Sequence, residues 1–400
     1  MNHSIKPFTV MPFIILGLFG LYTLELGVVG ILPLIVERFG VTLAQAGLLM
    51  SVFALIVALS GPFLVLLSSR IERRRILTGS LLCFTLCSML SAFAPNYTSL
   101  MALRVLPAML HPVFFSAAFA AAVSLYPAER AAHATTVAFV GTTLGLVFGV
   151  PLTTLVADVL SYQAAMLLSG FATVLAGLGL LLRLPAQTNV RPLSFGHQLN
   201  ILRRPAVWLA IAATVLVFTT KFAVYSYAAQ LLKSSGDLGA AAISALLLIF
   251  GVGGVLGNLL AGRMLSLRPV ATVLAFPVLL SAVYATLYVL DGCSFPVLAA
   301  IVFVWGGIHT SGMIITQMWL TRAAPEAHAF ATSLYVSFAN AGIALGAWIG
   351  GVFIEANGLP GMIGCGLVFA VLSLAAIAAK AVLYGAGPGP LRVSAAGNAA

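Results

Sequence analysis

The stretch Leu100–Tyr126, LMALRVLPAMLHPVFFSAAFAAAVSLY, decides the fold. It is apolar enough and long enough to cross a bilayer as a helix, yet it contains Arg104 and His111. These two side chains are about two helical turns apart, so they point to one side. A guanidinium this deep in an apolar span is costly unless it meets a partner or a water-filled cavity. A partner is available in the first apolar span, where Glu25 lies at a similar distance from the same end.

The whole chain shares this character. Of its 400 residues, 62% are hydrophobic and 7% are charged. A soluble domain carries roughly 25% charged residues. The composition therefore describes an all-α membrane protein, because a helix satisfies its own backbone in lipid. Twelve apolar spans can be read, at 9–36, 45–68, 76–94, 98–126, 133–157, 162–183, 206–232, 240–263, 270–290, 294–320, 328–354 and 360–384. The net charge of +10 is not a nucleic-acid signal, since the basic residues lie in short loops between spans. Placing the N-terminus inside puts Lys6, Arg70, Arg73, Arg74, Arg75, Arg130, Arg263, Arg322 and Lys380, among others, on the inner side. Only Arg38 and Lys233 are left outside, alongside the acidic Glu37, Asp158, Asp237, Asp291 and Glu355. That asymmetry makes both termini cytoplasmic.

The polar connection 184–205 divides the chain into two six-helix bundles, 1–183 and 206–384, with a disordered tail at 385–400. Residues 195–204 of the connection are compatible with a short amphipathic helix on the inner surface. The halves echo each other. An arginine follows span 2 (Arg70) and span 8 (Arg263), and glycines recur every four residues in span 5 (Gly141, Gly145, Gly149) and span 11 (Gly342, Gly346, Gly350). Small-residue faces let helix backbones approach closely, and repeated halves around a midplane cavity are a transporter architecture. No metal-ligand spacing, Walker motif, nucleotide fingerprint or nucleophile–base pair is visible, so neither an enzyme nor a cofactor is expected. Cys83 and Cys87 are one turn apart, a poor geometry for a disulfide.

These motifs, in their order, resemble the major facilitator superfamily, specifically its drug:proton antiporter branch and, within it, bacterial sugar efflux transporters and arabinose efflux permeases. Tyr22-Thr-Leu-Glu-Leu-Gly-Val-Val-Gly-Ile-Leu-Pro33 is similar to the start of that branch, and Ser69-Arg-Ile-Glu-Arg-Arg-Arg75 to its loop between helices 2 and 3. Arg104-Val-Leu-Pro-Ala-Met-Leu-His111 is similar to its helix 4 motif, and Gly145-Leu-Val-Phe-Gly-Val-Pro151 to its helix 5 motif. Leu202-Arg-Arg-Pro-Ala206 and Tyr225-Ser-Tyr227 match the sugar-efflux group around helix 7. The chain departs from the pattern where Ser69 replaces the usual loop Asp, Pro112 follows the helix 4 histidine and Lys221 replaces a histidine of the sugar-efflux group.

The resemblance implies a monomeric, proton-coupled exporter of the bacterial inner membrane that moves a small polar solute, a sugar or similar compound, by alternating access. Multidrug or nucleoside efflux and an uncoupled facilitator or importer are the alternatives. Glu25, Arg104 and His111 are the expected proton-coupling residues, with a permanent Glu25–Arg104 ion pair as the competing reading. Tyr22, Lys221, Tyr225, Trp305, His309 and Asn340 are the expected substrate-binding residues. For Lys221 the alternative is snorkelling to the outer interface, and for the aromatic residues it is packing. Arg70, Arg73, Arg74, Gly141, Gly145, Gly149 and Pro151 are expected to control conformation. Glu25, Arg104 and Lys221 sum to one positive charge, which favours neutral polar or anionic solutes over lipophilic cations.

Overall fold

The computed structural model describes residues 7–68, 71–127, 131–185, 201–235, 238–290, 292–324 and 328–384. Arg70, most of the central connection and the C-terminal tail, including the expected surface helix up to residue 200, lie outside the described residues. The described residues are helical throughout. In order the helices are α1 (Pro7–Gly30), α2 (Leu32–Phe39), α3 (Leu43–Ser68), α4 (Arg73–Ala92), α5 (Tyr97–Ser124), α6 (Ala131–Leu144), α7 (Val150–Val159), α8 (Tyr162–Arg183), α9 (Pro205–Tyr225), α10 (Ala228–Ser234), α11 (Ala240–Leu267), α12 (Pro269–Val289), α13 (Phe295–Thr321), α14 (His328–Asn357) and α15 (Leu359–Tyr384). Among the described residues, twelve helical segments are long and apolar enough to cross a membrane, with α6 and α7 forming one of them.

Local chemistry sets where these helices begin and end. Asn96 accepts a hydrogen bond from the Ser99 N–H at 2.9 Å, and Ser161 accepts one from Ala164 at 3.1 Å. Each satisfies an otherwise unpaired donor at a helix start. Pro205 and Pro269 open α9 and α12, where a missing N–H costs nothing. The expected spans 1 and 7 each break before their outer ends. Pro33 sits in the first turn of the separate helix α2, and Ser226–Tyr227 separates α9 from α10. Gly40 closes α2 in a left-handed conformation (φ 62°) that a side chain would strain.

Span 5 also differs from a plain helix. Gly145–Gly149 forms a π-helical turn between α6 and α7. Pro151 follows it and has no N–H to offer the preceding turn, so a wider turn there is locally tolerated. The Pro151 carbonyl also accepts from Ser244 Oγ of α11 at 2.7 Å.

The two glycine stripes do the same job in the two halves. A Cβ at Gly141 or Gly145 would come within 2.4 Å of the Ile15 carbonyl or 2.6 Å of Tyr22 Cβ on α1. One at Gly342, Gly346 or Gly350 would meet the carbonyls of Val215, Thr219 or Ala223 on α9 at 2.5–2.6 Å. Lipid offers no hydrophobic drive for helix association, so this close backbone packing is a main source of cohesion.

The first six spans meet the last six along α3–α14 and α7–α11. At the end of the molecule carrying α2 and α10, Ser51 Oγ of α3 donates to the Ala344 carbonyl of α14 at 2.7 Å, while Tyr227 Oη donates to the Ala347 carbonyl within the second half at 2.6 Å. There too, Thr42 Oγ1 donates to Glu355 at 3.2 Å and Lys233 Nζ lies 3.1 Å from Glu37. Tyr227, between α9 and α10, packs its hydroxyl end against Gly47 of α3, where a Cβ would collide with it. These contacts close the α2/α10 end.

Candidate functional site in the central cavity

A cavity of about 410 Å³ lies between the two halves. It starts at the level of Glu25 and Tyr225 and runs away from the closed end, past Val65, Phe119, Asn258 and Ser333. Of the expected site residues, Tyr22, Glu25, His111, Lys221, Tyr225, His309 and Asn340 all line it. Arg104 and Trp305 do not.

Glu25 and His111 are both 4% exposed, and Glu25 Oε2 lies 3.2 Å from His111 Nε2. The contact is an ion-pair approach and lacks the alignment of a full hydrogen bond. His111 is collared by rings. Tyr22 and Phe53 meet it edge-on at 5.8 and 6.0 Å, and Phe115 stacks on it at 6.4 Å.

Arg104 has other partners than the one expected. Its Nε donates to the Leu49 carbonyl at 3.1 Å, and its two terminal nitrogens donate to the carbonyls of Leu24 and Glu25 at 3.2 and 3.0 Å. The Phe53 ring lies 4.9 Å below it. It thus ties α5 to the backbones of α1 and α3, and the carboxylate of Glu25 is left to His111. Helix geometry gives the reason. In α1 the carbonyls point toward the C-terminus, while each Cα–Cβ bond tilts toward the N-terminus. The antiparallel α5 places Arg104 about 10 Å nearer the closed end than His111. Arg104 therefore reaches the carbonyl of Glu25, and His111 reaches its side chain. A small chamber of about 30 Å³ adjoins Arg104, with Thr23, Ser88, Ser91 and Ser169 in its wall. That is room for about one water molecule.

The opposite wall belongs to α9, α11, α13 and α14. Lys221 is fully buried, which removes the snorkelling alternative. His309 lies within a box of Phe222, Tyr225 and Phe250, with ring separations of 5.6, 4.7 and 5.3 Å. Asn340 donates from Nδ2 to the Val336 carbonyl at 2.9 Å. Trp305 is also fully buried but stands behind this wall, edge-on to Phe250 at 5.0 Å and to Tyr225 at 6.3 Å. It lies one turn, about 6 Å, nearer the closed end than His309. It therefore supports the lining and does not touch the cavity.

The arginines after span 2 act as clamps. Arg73 donates to the Ala120 carbonyl at 3.0 Å and Arg74 to the Leu181 carbonyl, near the ends of α5 and α8. Cations are favoured at helix C-termini. Glu72 pairs with Arg75 at 3.0 Å inside the same loop.

Sequence reasoning missed Asn258 and Tyr335, which line the cavity, and most of its aromatic wall. Asn258 did carry a signal. It is an amide inside an apolar span, the same feature that singled out Asn340. The phenylalanines carried none, because an apolar residue in an apolar helix does not announce which way it faces.

The fold and the sequence agree on kinship. A profile of the Major Facilitator Superfamily matches residues 14–239. The chain is 32% identical to the "Inner membrane transport protein YdhP" of Escherichia coli strain K12 over 86% of its own length and 88% of that protein. It is 30% identical to a "Probable sugar efflux transporter" of Mannheimia succiniciproducens over 89% and 88%. A bacterial homologue of the human lysosomal transporter Spinster, crystallised in an inward-facing and unoccupied conformation, superposes with a TM-score of 0.73 at 16% identity, covering 98% of this chain and all of that one. This multi-pass protein of the bacterial inner membrane is a transporter and belongs to the major facilitator superfamily.

Proposed function

We propose that the protein is a proton-coupled antiporter that exports a small polar organic solute. Glu25 and His111 form its proton site. The observation carrying this reading is their 3.2 Å contact in the wall of the central cavity, where Glu25 is the one acidic side chain among the described lining residues. A carboxylate and an imidazole at this distance can hold a proton between them or release it when a solute or water changes their surroundings. Burial keeps bulk water from short-circuiting the exchange.

The basic residues around the Arg73 end put that end in the cytoplasm, so the cavity faces inward and the α2/α10 contacts form the outer gate. Rocking of the two six-helix halves breaks those contacts and opens the site outward. Protons then reload the Glu25–His111 pair from outside as solute leaves. The name of the Mannheimia relative supports export, and sugars are the first solutes to test.

The test is lumen pH in inside-out vesicles energised to an acid interior, with sugars, nucleosides, phenicols, organic acids and cationic dyes added in turn. A transported solute raises lumen pH in wild type and leaves it unchanged in Glu25→Gln. Transport with no pH change in wild type removes the coupling and makes the protein a facilitator.

A further inference from the structure

The two walls of the cavity neutralise their charges differently. On one side Glu25 and His111 answer each other. On the other, Lys221 lines the cavity fully buried, and its Nζ has no hydrogen-bond partner among the described residues. Its company is aromatic, with Nζ 4.4 Å from the Phe218 ring centre and 5.9 Å from that of Phe222. Ring faces attract an ammonium far less than water does. The one carboxylate among the described lining residues is already held by His111. Nδ1 of His309 and Oδ1 of Asn340, also in the lining, have no hydrogen-bond partner either. Around Lys221 this wall presents the rings of Phe218, Phe222, Tyr225 and Phe250, with Tyr225 stacked on Phe250 at 5.0 Å. Asn258, Thr310, Ser333 and Ser337 also line the cavity. The volume suits a small organic molecule.

We infer that Lys221 is an anion-binding group for the transported solute, and that the solute is an amphipathic organic acid with one carboxylate on an aromatic or otherwise flat apolar body. The carboxylate takes the charge-assisted hydrogen bond that Lys221 lacks, and His309 is a second donor when its proton is on Nδ1. The body lies against Phe218, Phe222, Tyr225 and Phe250. Asn340 Oδ1 remains as an acceptor for a hydroxyl or N–H elsewhere on the solute. A single cation suits a monoanion. A neutral sugar leaves the Lys221 charge unanswered, and a lipophilic cation meets Lys221. The inference rests on the transporter reading above and gives it a substrate class.

The experiment is calorimetric titration of the purified protein in lipid nanodiscs with 4-hydroxybenzoate, its neutral analogue 4-hydroxybenzamide, and arabinose. Wild type, Lys221→Gln and Lys221→Arg are compared. The acid binds wild type at least tenfold more tightly than the amide. Lys221→Gln abolishes that preference and Lys221→Arg retains part of it. The acid–amide comparison in wild type stands even if a variant fails to fold. Absence of an acid preference in wild type, whichever compound binds or if none does, overturns the inference, as does a preference that survives Lys221→Gln. Binding needs no proton movement, so the two readings fail separately. Acid binding without a lumen pH response removes the coupling and leaves the anion site. A pH response to neutral solutes alone does the reverse.

Discussion

The carboxylate of Glu25 is energetically coupled to His111 more strongly than to Arg104. At their 3.2 Å separation, an ion pair in an effective dielectric of about 20 attracts by roughly 5 kcal/mol. Burying both groups costs much of that, so about 1–3 kcal/mol should remain as measurable coupling. Arg104 makes its three hydrogen bonds to backbone carbonyls, which Glu25→Gln leaves in place. Its coupling to the Glu25 side chain is then a longer-range Coulombic one and should be smaller than that of His111. The assay is a pair of double-mutant cycles, Glu25→Gln with His111→Gln and Glu25→Gln with Arg104→Met. Stability is read from SDS-induced unfolding in mixed micelles by tryptophan fluorescence. A coupling to Arg104 that exceeds the coupling to His111 would refute the assignment.

Further outcomes follow from the packing. Gly346→Ala pushes a methyl to 2.6 Å from the Thr219 carbonyl, and Gly145→Ala to 2.6 Å from Tyr22 Cβ. Each should cost about 1–3 kcal/mol in the same unfolding assay. Gly79→Ala meets nothing within 4 Å and should be neutral or stabilising by up to about 1 kcal/mol. Ser51→Ala removes the 2.7 Å bond from α3 to the Ala344 carbonyl of α14 and should weaken the closed end by about 0.5–1.5 kcal/mol. Fluorescence energy transfer between labels on α2 and α10 should then show a several-fold larger separated population. The Lys233–Glu37 pair is 43% and 64% exposed, so Lys233→Ala should shift that population by less than about 1 kcal/mol.

Much of the fold was legible because lipid leaves a chain few options. Twelve apolar stretches had to become twelve helices, and the glycine spacings had to face close neighbours. The breaks within spans 1, 5 and 7 were harder to read. They depend on where single backbone groups find partners, as with Pro151 and Ser244. The site was legible to the level of residue choice. An ionisable or amide side chain in an apolar span has to face protein or a cavity, and Tyr22, Glu25, His111, Lys221, Tyr225, His309 and Asn340 do line one. Which of them meet was not legible. Arg104 and His111 share a helix face, but a shift of two turns along the axis gives one the backbone of Glu25 and the other its carboxylate. Trp305 shares a stripe with His309 and misses the cavity by one turn.

The central claim is that Glu25 carries the exchanged proton. The most direct test is accumulation of a labelled solute in proteoliposomes with an imposed acid interior, comparing wild type with Glu25→Gln. Wild type should concentrate the solute inside against its gradient. Glu25→Gln should still exchange labelled for unlabelled solute across the membrane but should fail to accumulate it. Accumulation by Glu25→Gln at the wild-type level would contradict the account.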